Sequence, residues 1–280
     1  REKTQAGLAL TECRGETMHH FANPQRHFAH FEEVPELVLK SLLFIENRDL
    51  LDTEHRYANP AVDWPRFVRA AVSQVGEAIN LPGQSSGGST LATQLEKYRH
   101  SPGGLTLSAQ EKLRQMVSAS VRAYRQGPET LTARQDVALD YLNSVPLSAA
   151  PGYGEVLGLG DGLWVWFGAE LDDVILALAS NETGAAALAA RGQALRQVVA
   201  LMIAQRRPSH YLRAGHDDLA ELSASYLRLM AEQGLIDPEL RDAALAQSLG
   251  FRDFQSAPVS LRVDTDKGLR LARGRLASLL

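Results

Sequence analysis

Cysteine, aromatic residues and long apolar runs are all scarce in this 280-residue sequence. Cys13 is the single cysteine, so no internal disulfide can form and the fold cannot depend on oxidation. No apolar run approaches the ~18 residues that a helix needs to span a bilayer. The eight histidines are at no metal-ligand spacing and have no Cys pair beside them, so we assign no metal-binding residues.

The chain also lacks a surplus of positive charge and a signal peptide. Its formal net charge of −4 argues against a general nucleic-acid binder, so we expect no nucleic-acid partner. The sequence begins with Arg1 rather than Met, which predicts a piece of a longer protein whose membrane anchor lies outside it. With 45% hydrophobic residues, the chain can bury a core as one domain or as two closely packed lobes.

Hydrophobic periodicity and capping residues predict a mainly α protein. Two helices open with capping boxes, Ser108 with Glu111 and Thr132 with Gln135. Another contains Pro35, a residue that suits the first turn of a helix. The predicted helices cover residues 33–50, 63–79, 90–98, 108–124, 132–142 and 237–247.

The two ends of the chain do not follow the helical pattern. Residues 1–31 are predicted as a short strand or loop that leads into the first helix. Residues 251–280 are strand-like or linker-like. We therefore predict one domain over residues 1–250, followed by a linker or the start of a further domain over residues 251–280.

The stretch GQSSGGST at residues 83–90 is rich in Gly and Ser and precedes one of the predicted helices. Four polar residues at i, i+3, i+4 and i+7 share one face of that helix, namely Thr90, Thr93, Gln94 and Lys97. Unsatisfied amides at a helix N-terminus attract anions, so this face suits a pyrophosphate. The alternative is a solvated helix face after a linker. The stretch is not a P-loop, because no GK[ST] closes it.

Glu46 is a candidate general base. It continues an apolar stripe formed by Leu39, Leu42 and Leu43 on the predicted helix. Partial burial would raise the pKa of its carboxyl group and make it competent to accept a proton. Alternatively, the helix ends near residue 46 and the carboxylate enters solvent.

A third candidate segment is SAQEKLRQM at residues 108–116. It places Lys112 and Arg114 near Gln115, and basic side chains of this kind can neutralise phosphate charge. The alternative is a solvated helical surface, which is the commoner role of such residues.

Taken in order, FIENRDL, GGSTLATQLEKY and EKLRQM resemble the motifs of the peptidoglycan glycosyltransferase family, the lysozyme-like transglycosylase domain of bifunctional penicillin-binding proteins. The family pattern is roughly E-D-x-x-F, then G-G-S-T-x-T-Q-Q-L-x-K-N, then R-K-x-x-E. LDYLNSVPL and GYGEVLGLGDGLWVWFG are similar to its Y-L-N and Y-F-G segments, so the resemblance covers about residues 8–250. It implies a mainly α, lysozyme-like fold with a larger globular lobe, a smaller membrane-proximal lobe and a mobile flap over residues 50–62.

The resemblance implies a hexosyltransferase of the cell envelope that polymerises lipid II, a disaccharide-peptide on a polyprenyl pyrophosphate. Glu46 matches the base that deprotonates the 4-hydroxyl of the acceptor sugar, next to Asn47 on the substrate side. The positions that match the pyrophosphate site are Ser89, Thr90, Gln94 and Lys97. A divalent cation, Mg or Mn, is the implied cofactor. The implied partners are lipid II or the nascent glycan strand and, through regions outside this chain, the outer face of the cytoplasmic membrane.

The sequence departs from the family pattern at several motif positions. Gln115 occupies the position of the second Glu, and an amide can hydrogen-bond a phosphate but cannot transfer a proton. Asn47 replaces the Asp of the first motif and Leu50 its aromatic residue. Tyr98 replaces the Asn that ends the middle motif.

Three functions therefore stay open on the sequence alone. The first is a divergent transferase, with Glu46 as base and three cations to stabilise the leaving pyrophosphate, Lys97, Lys112 and Arg114. The second is a non-catalytic domain that binds lipid-linked glycan or peptidoglycan. The third is a glycan hydrolase, which needs a second acid opposite Glu46, for which Glu155 is the candidate. The middle motif argues against the third, because a hydrolase needs no pyrophosphate site.

Overall fold

The computed structural model of the protein describes residues 6–11, 17–62, 90–100, 108–182, 184–256 and 259. The helix predicted at residues 63–79 and the Gly/Ser stretch up to Ser89 lie outside these residues. The chain divides into two compact units, Arg1–Val145 and Pro146–Leu280. Most of the described residues are helical, so the predicted mainly α fold class is confirmed. The assignment of a larger and a smaller lobe stays a prediction.

The first unit begins with an antiparallel hairpin, in which Leu8 pairs with Phe21, and continues with helices. In the part of this unit that the structure describes, the elements are β1 (Ala6–Thr11), β2 (Thr17–Asn23), a 3-10 turn (Phe31–Glu33), α1 (Glu36–Ile45), α2 (Leu91–His100), α3 (Ala109–Ala123) and α4 (Leu131–Ser144). Helix α2 packs against both α3 and α4.

Helix α1 is shorter than predicted: it ends at Ile45, whereas the sequence predicts a helix up to residue 50. Pro35 is its N-cap rather than a residue of its first turn. Beyond Ile45 the chain turns: the Asn47 side-chain oxygen accepts a hydrogen bond from the Asp49 N–H at 3.3 Å, and the Leu50 N–H donates to the Asn47 carbonyl. Such local side-chain bonds compete with a helical continuation.

Helices α3 and α4 test the two predicted capping boxes. Ser108 caps α3 as predicted, since its hydroxyl accepts a hydrogen bond from the Glu111 N–H at 3.1 Å. Helix α4 begins at Leu131 with Thr130 as N-cap, so the predicted start at Thr132 is wrong. The Thr130 hydroxyl accepts no cap bond, and it donates to the carbonyl of Ala58 at 2.6 Å.

The segment 50–62, which follows Glu46, is fastened to α4 rather than free. Buried Arg134 donates hydrogen bonds to the carbonyls of Leu50 at 3.0 Å, Asp52 at 2.8 Å and His55 at 3.0 Å. A guanidinium in one fixed rotamer can satisfy three carbonyls of a non-helical segment at once. This anchoring differs from the mobile flap that the family resemblance implies.

The second unit is built around one central helix. Among its described residues, the elements are β3 (Pro146–Ala150), β4 (Gly154–Leu157), α5 (Gly158–Gly162), a π-helical turn (Leu163–Phe167), α6 (Leu171–Ala179), α7 (Ala185–Ala204), α8 (Pro208–Tyr211), α9 (His216–Glu232) and α10 (Pro238–Ala246). Residues 194–204 of α7 are buried throughout, because α6, α9 and α10 all pack on this helix. No described helix in either unit combines the length and the apolarity needed to cross a bilayer.

Glycine allows a close helix contact in this unit. A Cβ at Gly192 of α7 would lie 2.7 Å from the backbone of Ala243 and Ala244 on α10. Arg196, one turn further along α7, donates a hydrogen bond to the carbonyl of Leu245 at 2.9 Å. The end of α10 is therefore fixed to α7 by close packing and by a buried guanidinium.

Residues beyond the predicted boundary at 250 contact the π-helical turn. Arg252 donates hydrogen bonds through its backbone N–H to the Trp166 carbonyl at 2.7 Å and through Nη2 to the Trp164 carbonyl at 2.8 Å. Phe254 packs edge-on against Trp166 with ring centroids 5.6 Å apart. The division into domains 1–250 and 251–280 stays a prediction.

Candidate functional site

Glu46 lies at the C-terminus of α1, where it is the C-cap residue and is half-buried. Its backbone N–H still donates to the Leu42 carbonyl at 2.9 Å. The alternative expectation that the helix ends near residue 46 is thus correct. The side chain does not simply enter solvent, however, because its negative charge acts on a residue of α2.

That residue is Tyr98. Burial, together with the negative charge of Glu46, raises the pKa of the Tyr98 phenol to about 12. Such an electrostatic effect weakens with distance. The charge at the end of α1 therefore acts on the second half of α2, which links the first and second sequence motifs electrostatically.

The start of α2 is held by a reciprocal pair of threonines, both buried. The Thr90 N–H donates to the Thr93 hydroxyl at 2.9 Å, and the Thr93 N–H donates to the Thr90 hydroxyl at 3.3 Å. Within a helix the first amides have no intrahelical acceptor, and the pair satisfies two of them. The amides of Leu91 and Ala92 are the two that the helix itself leaves for an outside acceptor.

Gln94 and Lys97 follow on the same face, and both are half-buried. The Tyr98 hydroxyl donates to the Gln94 side-chain oxygen at 3.5 Å, which ties the amide to the residue on which the Glu46 charge acts. Gln94 and Lys97 are thus about one turn apart on the helix that carries Tyr98. Ser89, the remaining residue of the predicted cradle, lies outside the described residues.

Helix α3 does not present its three predicted residues to one side. Gln115 is buried, whereas Lys112 and Arg114 are exposed. Two residues apart on a regular helix, Lys112 and Arg114 project about 200° from each other. They cannot both contact one phosphate group.

Asn47 and Glu155 are two further predicted residues. Asn47 uses its side-chain oxygen in the turn after α1. Glu155 is exposed on β4 and belongs to the second unit.

A protein-held divalent cation does not fit the described residues well. Among them, no three His, Cys, Asp or Glu residues are close enough to form a metal site. The family motifs contribute the Glu46 carboxylate and the Gln115 amide, and an amide oxygen adds no negative charge for Mg²⁺ or Mn²⁺. The Mg or Mn cofactor stays a prediction.

A family model described as transglycosylase matches residues 14–231, well over half of the chain. The chain belongs to the transglycosylase family. The predicted family is confirmed, and with it a transglycosylase-type glycosyltransferase domain with a role at the cell envelope. No curated protein matches the chain.

This transglycosylase domain contains a buried charged cluster that its motifs do not predict. Glu96 on α2 is 1% exposed. Its Oε1 accepts hydrogen bonds from Arg99 Nη1 at 3.2 Å and Arg122 Nε at 3.1 Å, and its Oε2 accepts one from the Ser118 hydroxyl at 2.5 Å. Arg99 also donates through Nη2 to Asp140 on α4. A single carboxylate therefore joins α2 to α3 directly and to α4 through Arg99.

The Glu96 cluster lies on the side of α2 that faces away from Tyr98. Tyr98 is two residues after Glu96, which places the two side chains about 200° apart around the helix axis. Glu96 is thus an additional acid in the domain, on a different side of α2 from Tyr98. The sequence signal for it is a charged i, i+3 pair, Glu96 and Arg99, on a face that otherwise carries Ala92 and Leu95.

Proposed function

We propose that this domain is a peptidoglycan glycosyltransferase that polymerises lipid II. The observation that supports the proposal is the effect of the Glu46 charge on Tyr98, because it links the candidate base to the helix of the candidate pyrophosphate site. Membership of the transglycosylase family supports the reaction class. Lipid II is the substrate that the combined motifs favour, since its donor carries both a sugar and a pyrophosphate.

In the proposed reaction Glu46 accepts the proton of the acceptor sugar's 4-hydroxyl. The oxygen then forms a bond to the anomeric carbon of the donor, and the bond from that carbon to the pyrophosphate oxygen breaks. The electron pair leaves with the polyprenyl pyrophosphate. A divalent cation, Mg or Mn, would supply further positive charge to the leaving group.

The start of α2 stabilises that leaving group. The amides of Leu91 and Ala92 and the ammonium of Lys97 supply positive charge, and Gln94 donates a hydrogen bond. Ser89 precedes them in the same motif. Thr90 contributes by holding the helix start, since its hydroxyl is engaged with Thr93. Asn47 orients the turn that follows Glu46.

The direct test measures polymer formation from labelled lipid II with Mg or Mn present. We expect Glu46→Gln to lower the rate by roughly 10²- to 10⁴-fold, because the variant keeps the shape but not the base. Glu129→Gln is the matched control: Glu129 is exposed and precedes α4, so the rate should not change. Equal rates for the parent chain and Glu46→Gln would rule out this mechanism.

A second candidate function is binding of lipid-linked glycan or of peptidoglycan without transfer. The observation that favours it is Gln115, which gives an amide where the family pattern has its second acid. In that case the parent chain binds lipid II but forms no polymer, and Gln115→Glu restores some polymer. If Gln115→Glu is no more active than an inactive parent chain, the missing carboxylate is not the cause.

The location and partners follow from the substrate. Lipid II is carried in a membrane, so we propose that the domain works at the outer face of the cytoplasmic membrane as part of a longer anchored protein. The nascent glycan strand is its second partner.

A further inference from the structure

The Glu96 cluster consists of Glu96, Arg99, Ser118, Arg122 and Asp140, and the Glu96 carboxylate at its centre is buried. Removing a carboxylate from water is unfavourable unless hydrogen bonds and opposite charges compensate. Glu96 has both kinds of partner, since Ser118, Arg99 and Arg122 all donate to it. Burial raises the pKa of Glu96, but the Ser118 hydrogen bond and the two arginines outweigh that effect and lower it overall. The side chain is therefore ionised at neutral pH.

The geometry of the cluster restrains how α2 can move. Contacts to α3 through Ser118 and Arg122, and to α4 through Arg99 and Asp140, hold one side of α2 at several points. Sliding the helix by one residue moves it about 1.5 Å and turns it by about 100°. Such a shift would separate Glu96 from its donors, so the cluster fixes both the rotation and the position of α2.

The proposed function uses side chains of α2 that point away from Glu96. Gln94 is two residues from Glu96 and projects about 200° from it, and Lys97, the next residue, projects about 100° from it. A helix fixed on one side presents its other side at a constant angle. Misplacing a binding group by about 1 Å can cost as much as ~100-fold in rate.

We infer that Glu96 is a positioning residue for donor binding, which holds α2 so that its N-terminal amides, Gln94 and Lys97 meet the pyrophosphate of the lipid-linked donor. The inference rests on the proposed function. Glu96 does not touch the substrate, because it faces α3 and α4. In the family pattern its position is unspecified, so the cluster is a feature of this chain rather than of the motif.

A cavity beside the cluster makes the inference testable by chemical rescue. It has a volume of about 330 Å³, and its lining includes Glu96, Arg99, Arg122 and Asp140. The Arg122 side chain is 42% exposed, so the cavity communicates with solvent. A small carboxylate such as acetate can therefore reach the arginines if the Glu96 side chain is removed.

The experiment measures the dissociation constant for lipid II in a Glu46→Gln background, which blocks turnover, at a temperature where circular dichroism shows every variant folded. We expect Glu96→Ala to weaken binding about tenfold. Acetate should restore most of the affinity, whereas chloride at equal ionic strength should not. Glu129→Ala is the control, with unchanged affinity and no response to acetate. If Glu96→Ala does not fold, Glu96→Gln replaces it in the binding measurement. We expect the same loss of affinity for lipid II, because glutamine also lacks the negative charge.

The outcomes separate the inference from the proposed function. Loss of affinity that acetate restores supports the positioning role. Unchanged affinity in folded Glu96→Ala or Glu96→Gln overturns it while leaving the proposed function intact, and so does a loss that acetate and chloride repair equally. If the Glu46→Gln chain itself does not bind lipid II, the proposed function fails, and the inference fails with it.

Discussion

At the scale of single residues, Ser148 has an unfavourable backbone conformation. Among the residues that the structure describes, Ser148 is the one non-glycine residue with a positive φ, which is 68°. The left-handed conformation costs a residue with a Cβ roughly 1–2 kcal/mol relative to the right-handed one. Its hydroxyl lies 3.4 Å from that of Ser209 at an exposed position, and this contact offsets little of that cost.

We therefore expect Ser148→Gly to stabilise the protein by about 1 kcal/mol, because glycine adopts this conformation without strain. Urea unfolding monitored by circular dichroism measures the change. Ser180→Gly is a control at a residue with φ of −66°, where the same substitution should not stabilise. A lower free energy of unfolding for Ser148→Gly would show that the Ser209 contact outweighs the strain.

Glu96 gives a prediction about pH. Burial raises its pKa, but Ser118, Arg122 and Arg99 together lower it below that of an ordinary glutamate. Since the folded-state pKa is below the unfolded one, the stabilisation is fully present above the unfolded-state pKa, about 4.3, and is lost as the pH falls through the folded-state pKa. We expect Glu96→Gln to reduce the free energy of unfolding by about 2–3 kcal/mol at neutral pH, less than for a fully buried pair because Arg122 is partly exposed.

Denaturant unfolding of the parent chain and of Glu96→Gln, from neutral pH down to well below the folded-state pKa of Glu96, tests this. The difference between the two free energies should shrink toward acid pH, because protonated Glu96 is neutral like Gln. A difference that stays constant over this range would contradict the ionised cluster with Arg99, Arg122 and Asp140.

At the scale of elements, capping residues predict helix ends only where no other partner competes. Ser108 caps α3 as its sequence signal indicates. Thr130, rather than the predicted Thr132, lies at the start of α4, and its hydroxyl binds the carbonyl of Ala58, far away in the sequence. A local sequence pattern carries no information about a contact between residues that are so far apart in the chain. For the same reason it cannot predict the pairing of Glu96 with α3.

Helix α4 holds the segment 50–62 through Arg134, and this anchor can be tested. Its guanidinium satisfies carbonyls of Leu50, Asp52 and His55. Arg134→Leu removes these donors and leaves the carbonyls to find water. We expect a loss of about 2–4 kcal/mol in stability and a lower polymerisation rate, since the segment that follows Glu46 loses its anchor. Arg125→Leu, at an exposed position in the turn before α4, is the control for loss of charge.

Urea unfolding and the lipid II assay measure the two effects of Arg134→Leu. Stability and rate equal to those of Arg125→Leu would mean that the segment 50–62 does not depend on this anchor.

At the scale of the whole molecule, composition and periodicity predict the mainly α fold, because apolar and polar positions at helical spacing determine which face each helix buries. The same information predicts α10 in the second unit, and the order of the motifs predicts the transglycosylase family. It does not predict that Gln115 is buried, or that Thr90 and Thr93 are engaged with each other. Those facts depend on where each helix begins and on what it packs against.

The central claim is that Glu46 and the start of α2 form a glycosyl-transfer site. The most direct measurement is the amount of polyprenyl pyrophosphate released for each disaccharide that the domain adds to a glycan strand from lipid II. We predict a one-to-one ratio for the parent chain and no release above background for Glu46→Gln. Lipid II that is bound but not consumed, or release without strand growth, would contradict the claim.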